Sequence, residues 1–289
     1  MRKLKTWVLY PGYIICVTVF FLYMLFPQEA AMQYLSGYLR EHYPDYVVTA
    51  DTIKPDFPPG LKLDGVDFSF QGEKWVNLEK LHIRPKYLSV FSTVKTVRFK
   101  GKAYQGDLWG TIDFDKSAGS YEMKASAELK GIRLEENEHL QTLAGRKISG
   151  RLDSTLVYGN EKGEGKRLNV NLHVADGEVG LTNPVFSINN LAFDNIDAEL
   201  VVDQRTLKLK RCTADGAQVK GDVTGVVLFR QPFERSRLEF KGNVKPQHLL
   251  MASLKKALPK SMLPSKKTGE KGFPVKLYGT IEKPKFSLR

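Results

Sequence analysis

Cysteine is scarce in this chain of 289 residues, where only Cys16 and Cys212 occur. One lies in an apolar run and the other in a strand-like segment, so no disulfide framework follows from them. The five histidines are scattered, and no Cys/His spacing typical of a metal site exists. These absences exclude a disulfide-rich scaffold and predict no metal, no cofactor and two unpaired cysteines that serve packing.

Recognisable catalytic motifs are missing as well. The sequence has neither a GxSxG nucleophile elbow nor an HExxH zinc motif. GNEKGEGKR, residues 159–167, resembles a phosphate loop superficially, but Asn160 stands where the first glycine belongs and Arg167 replaces the Ser or Thr. We interpret it as a solvated hairpin turn, and we expect no catalytic residues and no enzyme. An enzyme would need side chains brought together from distant strands.

Acidic charge is too low to balance the basic residues, and the formal net charge is +12. The excess sits at the two ends: residues 1–5 carry +3, residues 255–289 carry +8, and the rest of the chain nets only +1. A near-neutral body with basic ends is a poor footprint for nucleic acid. It favours a membrane partner, with both ends close to anionic headgroups.

A single long apolar run, WVLYPGYIICVTVFFLYMLF at residues 7–26, carries no charge over 20 residues. At about 1.5 Å rise per residue it would span about 30 Å, the thickness of a bilayer core. We predict an uncleaved transmembrane anchor. The alternative, a cleaved signal peptide, fits poorly because the following PQEAAMQ lacks a small-x-small cleavage site.

The positive-inside rule gives this anchor an orientation. We predict a cytoplasmic N-terminus at 1–6, the anchor at 7–26, a membrane-proximal helix at 27–45 and a periplasmic β-rich domain at 46–289. In a bacterium this corresponds to a single-pass protein of the inner membrane.

Helical patterns are few, at 28–43, 86–92, about 134–145 and 246–258. The basic segment 246–272 interrupts the strands, and Leu250, Leu254 and Leu258 belong to its apolar stripe. Such a helix lies on an anionic membrane or caps one end of a sheet, and both interpretations stay open. The candidate membrane-surface contacts are Lys255, Lys256 and Lys260.

Alternating apolar and polar residues dominate the rest of the chain and predict about a dozen strands. Three segments, KAYQGDLWG, HVADGEVG and CTADGAQVKG, place an Asp-Gly or Gln-Gly turn between two strands, which is a hairpin pattern. The parity of the apolar positions flips at Asp64-Gly65, which indicates a bulge or a tight turn. The predicted fold class is mainly β: the anchor, then a long, curled, mostly antiparallel sheet shaped as a groove, with a few short helices.

One face of such strands needs an apolar neighbour. The sheet can close into a barrel, fold as a sandwich or curl into a groove that holds something apolar. Inward glycines indicate strand bending or, less favoured, close approach of a ligand; they are Gly101, Gly110, Gly150, Gly221, Gly225, Gly242 and Gly279. The candidate groove lining comprises Leu61, Leu63, Leu108, Ile112, Phe114, Leu152, Leu156, Val219, Val223, Val227, Leu277 and Ile281.

The chain resembles the type II secretion system protein N (GspN) family over nearly its full length. The resemblance rests on the N-terminal run and on IKPDFPPGLKLDGV (53–66), LEKLHIRPKYLSV (78–90), FKGKAYQGDLWG (99–110) and VKLYGTIEKPKFSL (275–288). The FPPGL opening and the ending GT-x-x-x-P-x-F also resemble AsmA-like envelope proteins.

The resemblance implies an accessory of the type II secretion machine that acts by binding, with other inner-membrane secretion components as partners. The alternative that it implies is a lipid-binding or lipid-transfer protein with an apolar β-groove, whose partner is phospholipid or lipopolysaccharide. No active-site residues transfer from either family.

Overall fold

A computed structural model describes residues 10–14, 17–18, 20–21, 23–42, 44–57, 59–70, 72–115, 122–160, 165–185, 188–248, 250 and 272–288. Most of them lie in fourteen strands. The strands are β1 Tyr46–Asp56, β2 Gly60–Phe70, β3 Glu73–Pro85, β4 Val94–Ala103, β5 Gly106–Asp115, β6 Glu122–Arg133, β7 Ile148–Asn160, β8 Lys166–Val185, β9 Ile188–Val202, β10 Thr206–Asp215, β11 Val219–Leu228, β12 Arg237–Pro246, β13 Phe273–Thr280 and β14 Pro284–Leu288.

Helices are short and few in the described part of the chain. Helix α1 spans Gln28–His42 and helix α2 spans Glu138–Ala144, while 3₁₀ turns occupy Tyr87–Phe91, Leu134–Glu136 and Phe233–Arg235. These positions match the predicted helices at 28–43, 86–92 and 134–145. Of the predicted helix at 246–258, most lies outside the described residues, as do Lys255, Lys256 and Lys260.

The strands follow one another in chain order in one large antiparallel sheet, which is not closed. Because the sheet is not closed, it is not a β-barrel, which was one of the three arrangements predicted for the apolar faces. The short turns between consecutive alternating segments explain the order, because a tight turn returns the chain antiparallel to the strand that it leaves.

The predicted fold class requires a correction at the N-terminal apolar run. None of the helices formed by the described residues is long and apolar enough to cross a membrane, so the transmembrane helix predicted at 7–26 is not shown. Near the end of that run, the Tyr23 hydroxyl donates a hydrogen bond to the backbone oxygen of Asp56, at the end of β1. The fold is a mainly β sheet with few helices.

Two compact units divide the chain. The N-terminal unit comprises Met1–Pro85 with Phe99–Lys102, and the C-terminal unit comprises Lys86–Arg98 with Ala103–Arg289. Strands β1 to β3 belong to the first unit, and β5 to β14 belong to the second.

The N-terminal unit packs α1 against β1 and has its core where the apolar pattern changes parity. Ala50, Val66 and Leu78 form one cross-strand row, and Ile53, Leu63 and Leu81 form another. Gly65 lies between the two rows with φ +60°, inside a continuous strand. The parity flip at Asp64-Gly65 is therefore a backbone irregularity within β2 and not a turn. Val66 is fully buried at 0% exposure.

Hairpins form at two of the three predicted turns. Tyr104 and Gln105 both have positive φ in the connection that leads into β5, as a two-residue type I′ turn requires. The segment 216–218 joins the antiparallel strands β10 and β11. Asp176-Gly177 is different: β8 runs through it, and the register against β7 shifts there. The hairpin predicted in HVADGEVG is wrong, and the Asp-Gly pair forms a bulge.

Candidate apolar binding surface

Register aligns the apolar side chains of β5 to β14 into rows that cross the strands. Residues directly opposite in an antiparallel pair point to the same side of the sheet. The central row contains Gly110, Ala127, Leu156, Val170, Leu200, Leu209, Gly225, Phe240, Leu277 and Phe286. One apolar position therefore follows another across all ten strands.

Three further rows run beside the central row on the same side of the sheet. The first contains Leu108, Leu129, Ser154, Leu172, Ala198, Cys212, Val223, Gly242 and Val275. The second contains Ile112, Ala125, Tyr158, Leu168, Val202, Leu207, Val227, Leu238, Gly279 and Pro284. The third contains Ile132, Leu152, Val174, Ile196, Ala214, Gly221, Val244 and Phe273. We call these four rows the apolar face.

The apolar face carries no charged residue, and only Ser154, Tyr158 and Cys212 bring a polar atom to it. The Ser154 hydroxyl donates to the backbone oxygen of Asn171 at 2.9 Å, so its hydrogen-bonding need is met within the sheet. Burial raises the pKa of the Cys212 thiol, which keeps this side chain neutral. The surface is therefore apolar without interruption by charge.

The other side of the same strands is polar. Salt bridges join Lys210 to Glu199 at 2.6 Å and Arg151 to Asp176 at 2.8 Å. His173 Nδ1 lies 2.7 Å from the Asp197 carboxylate, and Thr111 pairs with Ser126 through their hydroxyls at 3.0 Å. Water can solvate such a polar side, so only the apolar face needs an apolar partner.

Within the described residues, little of the protein itself covers the apolar face. Strands β5 to β14 make their main contacts with the strands beside them in the sheet, and the main contacts of α2 are with β7 and the adjacent 3₁₀ turn. Most side chains of the face are half-buried, and Phe286, at the last strand, is 63% exposed. A second layer of the kind that buries a sandwich core is not seen in this part of the chain.

The sheet bends sharply at β10. Cα atoms of β9 and β11 approach within 8 Å, although two strand spacings in a flat sheet amount to about 9.6 Å. Register shifts on both sides of β10, after Leu209, mark a bulge at this point. Bulges bend and twist the strand that holds them.

Glycines of the apolar face show which side of the sheet is crowded. A Cβ at Gly225 would clash with the Glu239 carbonyl oxygen and lie 2.5 Å from Cδ1 of Phe240. At Gly159, on the polar side, the nearest atom to a Cβ is Cγ of Lys124 at 3.4 Å. The apolar side of the sheet is therefore crowded at Gly225. Neighbouring protein atoms fill the space above Gly225, which agrees with strand bending and not with ligand contact there.

The structure brings most of the predicted lining residues together. Those on the apolar face are Leu108, Ile112, Leu152, Leu156, Val223, Val227 and Leu277. Phe114 lies one row farther out, opposite Met123, and is 39% exposed. Val219 pairs with Pro246 at the end of β11.

Three predicted lining residues do not line this face of the C-terminal unit. Ile281 lies in the turn between β13 and β14, where its backbone N–H donates a hydrogen bond to the backbone oxygen of Ser236. Leu61 and Leu63 belong to the N-terminal unit, and Leu63 is buried there at 4% exposure. Alternation alone predicts which residues share a side of one strand, but not which unit contains the strand.

Sequence reasoning left out the middle of the central row. Val170, Leu200, Leu209 and Phe240 lie at its centre. The alternation in LNVNLHV (168–174), LAFDNIDAELVV (191–202) and LEFKGNV (238–244) was the pattern that could have found Val170, Leu200 and Phe240. The register that places them side by side required the structure.

A charged cluster joins the ends of β1 and β3 in the N-terminal unit. The Asp56 carboxylate lies 2.8 Å from Nδ1 of His82 and 2.7 Å from Nη2 of Arg84. The hydrogen bond with His82, and then that from Arg84, lower the pKa of Asp56 to about 2. The cluster links two strand ends, and among the described residues no group of His, Cys, Asp and Glu is arranged to hold a metal ion.

Comparisons with protein families, with curated proteins and with solved structures find no match for this chain.

Proposed function

We propose that the C-terminal unit binds the hydrocarbon chains of a lipid on its apolar face. The observation that supports this proposal is the continuity of four uncharged rows on the strands β5 to β14, two of which cross all ten strands. Exposed apolar patches on ordinary monomers reach about 300–600 Å², and larger ones mark binding sites. An acyl chain is a suitable occupant because it needs no hydrogen-bonding partner.

The dimensions favour an extended chain over a compact ligand. Ten strands at about 4.8 Å spacing give a surface about 43 Å long. This exceeds the roughly 30 Å that two opposed acyl chains span in a bilayer core. Each buried methylene contributes about 0.8 kcal/mol, so a chain lying along the rows accumulates affinity without any specific polar contact.

The ligand class follows from the same chemistry. Phospholipid and lipopolysaccharide both present several acyl chains, and both are candidates in the proposed setting, the periplasm of a bacterium. The charged or sugar headgroup stays in water, since the apolar face offers it no ionic partner. Binding, and not catalysis, is the proposed activity.

The test uses neighbouring residues on opposite sides of β9. Leu200 lies on the apolar face and Val201 on the polar side, and both are half-buried. We expect Leu200→Asn to weaken binding of a fluorescent fatty acid at least tenfold, while Val201→Asn leaves it within twofold. Phe286→Asn, at a site 63% exposed, gives a second variant with little risk to folding.

Native mass spectrometry and extraction of the purified chain provide the direct readout. We expect bound phospholipid or lipopolysaccharide in the wild type and less of it in Leu200→Asn. Absence of lipid from the wild type, or equal effects of the two β9 variants, would overturn the proposal. Urea unfolding of each variant separates lost binding from lost folding.

A second proposal is a role as an accessory of type II secretion. It is supported by the resemblance of the N-terminal run, and of segments that lie in β1 to β5, β13 and β14, to the protein N family. Deletion of the gene should then reduce secreted exoproteins, and the chain should co-purify with inner-membrane secretion components. Unchanged secretion together with no co-purification would count against this role and would leave the lipid proposal standing.

A further inference from the structure

An exposed apolar pair occupies the 3₁₀ turn Tyr87–Phe91 of the C-terminal unit. Phe91 is 93% exposed and Leu88 is 80% exposed, the highest values among the large apolar side chains of the described residues. In a 3₁₀ helix the side chains at positions i and i+3 eclipse one another, so Leu88 and Phe91 project together. Full exposure of such a pair in water is unfavourable, which indicates a partner.

The turn is fixed by hydrogen bonds behind the pair. Ser89 is buried at 8% exposure, and its hydroxyl donates to the Lys86 carbonyl oxygen at 2.5 Å. The same hydroxyl accepts from the backbone N–H of Thr96 at 3.0 Å. The Lys86 N–H donates to the Thr96 carbonyl oxygen at 2.8 Å, which closes the loop onto β4. The apolar pair is therefore held outward by its own backbone.

The charged residues of the segment that holds the pair have one sign. The segment 86–98 contains Lys86, Lys95 and Arg98 and no acidic residue. Cations close to exposed aromatic and aliphatic side chains are the composition of segments that bind anionic membrane surfaces. Each Lys or Arg near such a surface contributes about 1 kcal/mol.

We propose that this turn, the apolar tip (residues 86–92), inserts Leu88 and Phe91 into the headgroup region of an anionic phospholipid bilayer. A bilayer accepts a small convex tip because lipids move aside and close around it. A stable protein partner would need about 800 Å² of matching surface on each side, which two isolated side chains do not provide. The proposal does not depend on lipid binding to the apolar face.

The test places a reporter in the tip of the full-length chain. Phe91→Trp is mixed with phosphatidylcholine vesicles that contain about one quarter phosphatidylglycerol and a brominated lipid. The wild type, with Trp7, Trp75 and Trp109, supplies the background signal. Leu143→Trp is the matched control, because Leu143 is 59% exposed at the end of α2, away from the tip in sequence. The readout locates contact at the tip even if another part of the chain also binds vesicles.

We expect bromine quenching of Trp at 91 at least threefold above that of Trp at 143. Adding Leu88→Asn or Lys86→Glu to the Phe91→Trp chain should lower this quenching at least twofold. Replacing phosphatidylglycerol with phosphatidylcholine should do the same. Equal quenching at positions 91 and 143, or a blue-shifted, unquenched Trp at 91, would overturn the proposal; the latter result would indicate a protein contact.

Discussion

The Phe240 side chain lies over Gly225 on the apolar face, so close that a Cβ at Gly225 would lie 2.5 Å from its Cδ1 atom. The Val223 side chain has the same relation to Gly242, where a Cβ would lie 2.9 Å from its Cγ2 atom. In both cases a large residue on one strand fills the space that its opposite glycine leaves. These pairs lie side by side across β11 and β12 on the apolar face.

Gly225→Ala should destabilise the protein by about 2 kcal/mol, because the added methyl group overpacks a crowded site. The matched control, Gly159→Ala on the polar side, should change stability by less than about 0.5 kcal/mol. Urea unfolding followed by circular dichroism measures both variants. Equal costs at the two glycines would show that the apolar side of the bend is not crowded.

Acid should destabilise the N-terminal unit through Asp56. Its pKa is lowered from 3.8 to about 2, first by the hydrogen bond with His82 and then by that from Arg84. A depressed carboxyl pKa stabilises the folded state above pH 3.8, and this contribution is lost as the pH falls through about 2. Since the group is partly solvated, we expect on the order of 1 kcal/mol.

Asp56→Asn should remove that dependence, since the amide does not titrate. The difference in unfolding free energy between wild type and variant should therefore shrink between pH 4 and pH 2, a window set by the ordinary and lowered pKa values of Asp56. A difference that stays constant over this range would contradict the assignment. Asp67→Asn is not a suitable control, because hydrogen bonds from Lys74 and Asn77 also lower the pKa of Asp67.

Ser236→Ala should cost about 1–3 kcal/mol, because a buried backbone donor would lose its acceptor. Ser236 is 0% exposed, and its Oγ accepts from the backbone N–H of Arg230 at 3.0 Å. Ser126→Ala, at an exposed serine on the polar side of β6, is the control and should be nearly neutral. Thermal unfolding compares the two, and a neutral Ser236→Ala would show that water replaces the hydroxyl.

Val66→Ala should destabilise the N-terminal unit by about 1–3 kcal/mol through the cavity that it leaves. The same substitution at Val76, which is 37% exposed on the neighbouring strand, should cost less than half as much. Limited proteolysis and urea unfolding report the effect. Similar values at both positions would show that the parity change at Gly65 does not define a core.

The strands and their two sides were predictable because both depend on residues two positions apart. Leu108 and Ile112 fall on one side of β5 by alternation alone, and short turns then dictate the chain-order sheet. The residues that lie opposite one another on adjacent strands were not predictable, because the register of the strands depends on bulges. Asp176-Gly177 illustrates the limit: a hairpin and a bulge both accept a residue with positive φ, and only the pairing of the flanking strands separates them.

The N-terminal run shows a different limit. Its apolar composition is long enough for a span, yet composition does not report the contacts that a segment makes. The bond from Tyr23 to Asp56 pairs residues 33 positions apart. Likewise, the exposure of Leu88 and Phe91 could not be read from the sequence, where YLSVF looks like an ordinary helical turn.

Because the strands of the C-terminal unit pair with the strands before and after them in the chain, the contact order of the unit is low for so large a sheet. Low contact order favours fast folding, since each new hairpin closes a short loop. The unit can therefore fold vectorially, each strand adding to a template that is already complete behind it. A partly synthesised chain would then have a folded sheet with one unpaired edge strand. It would not have a collapsed core that lacks one strand.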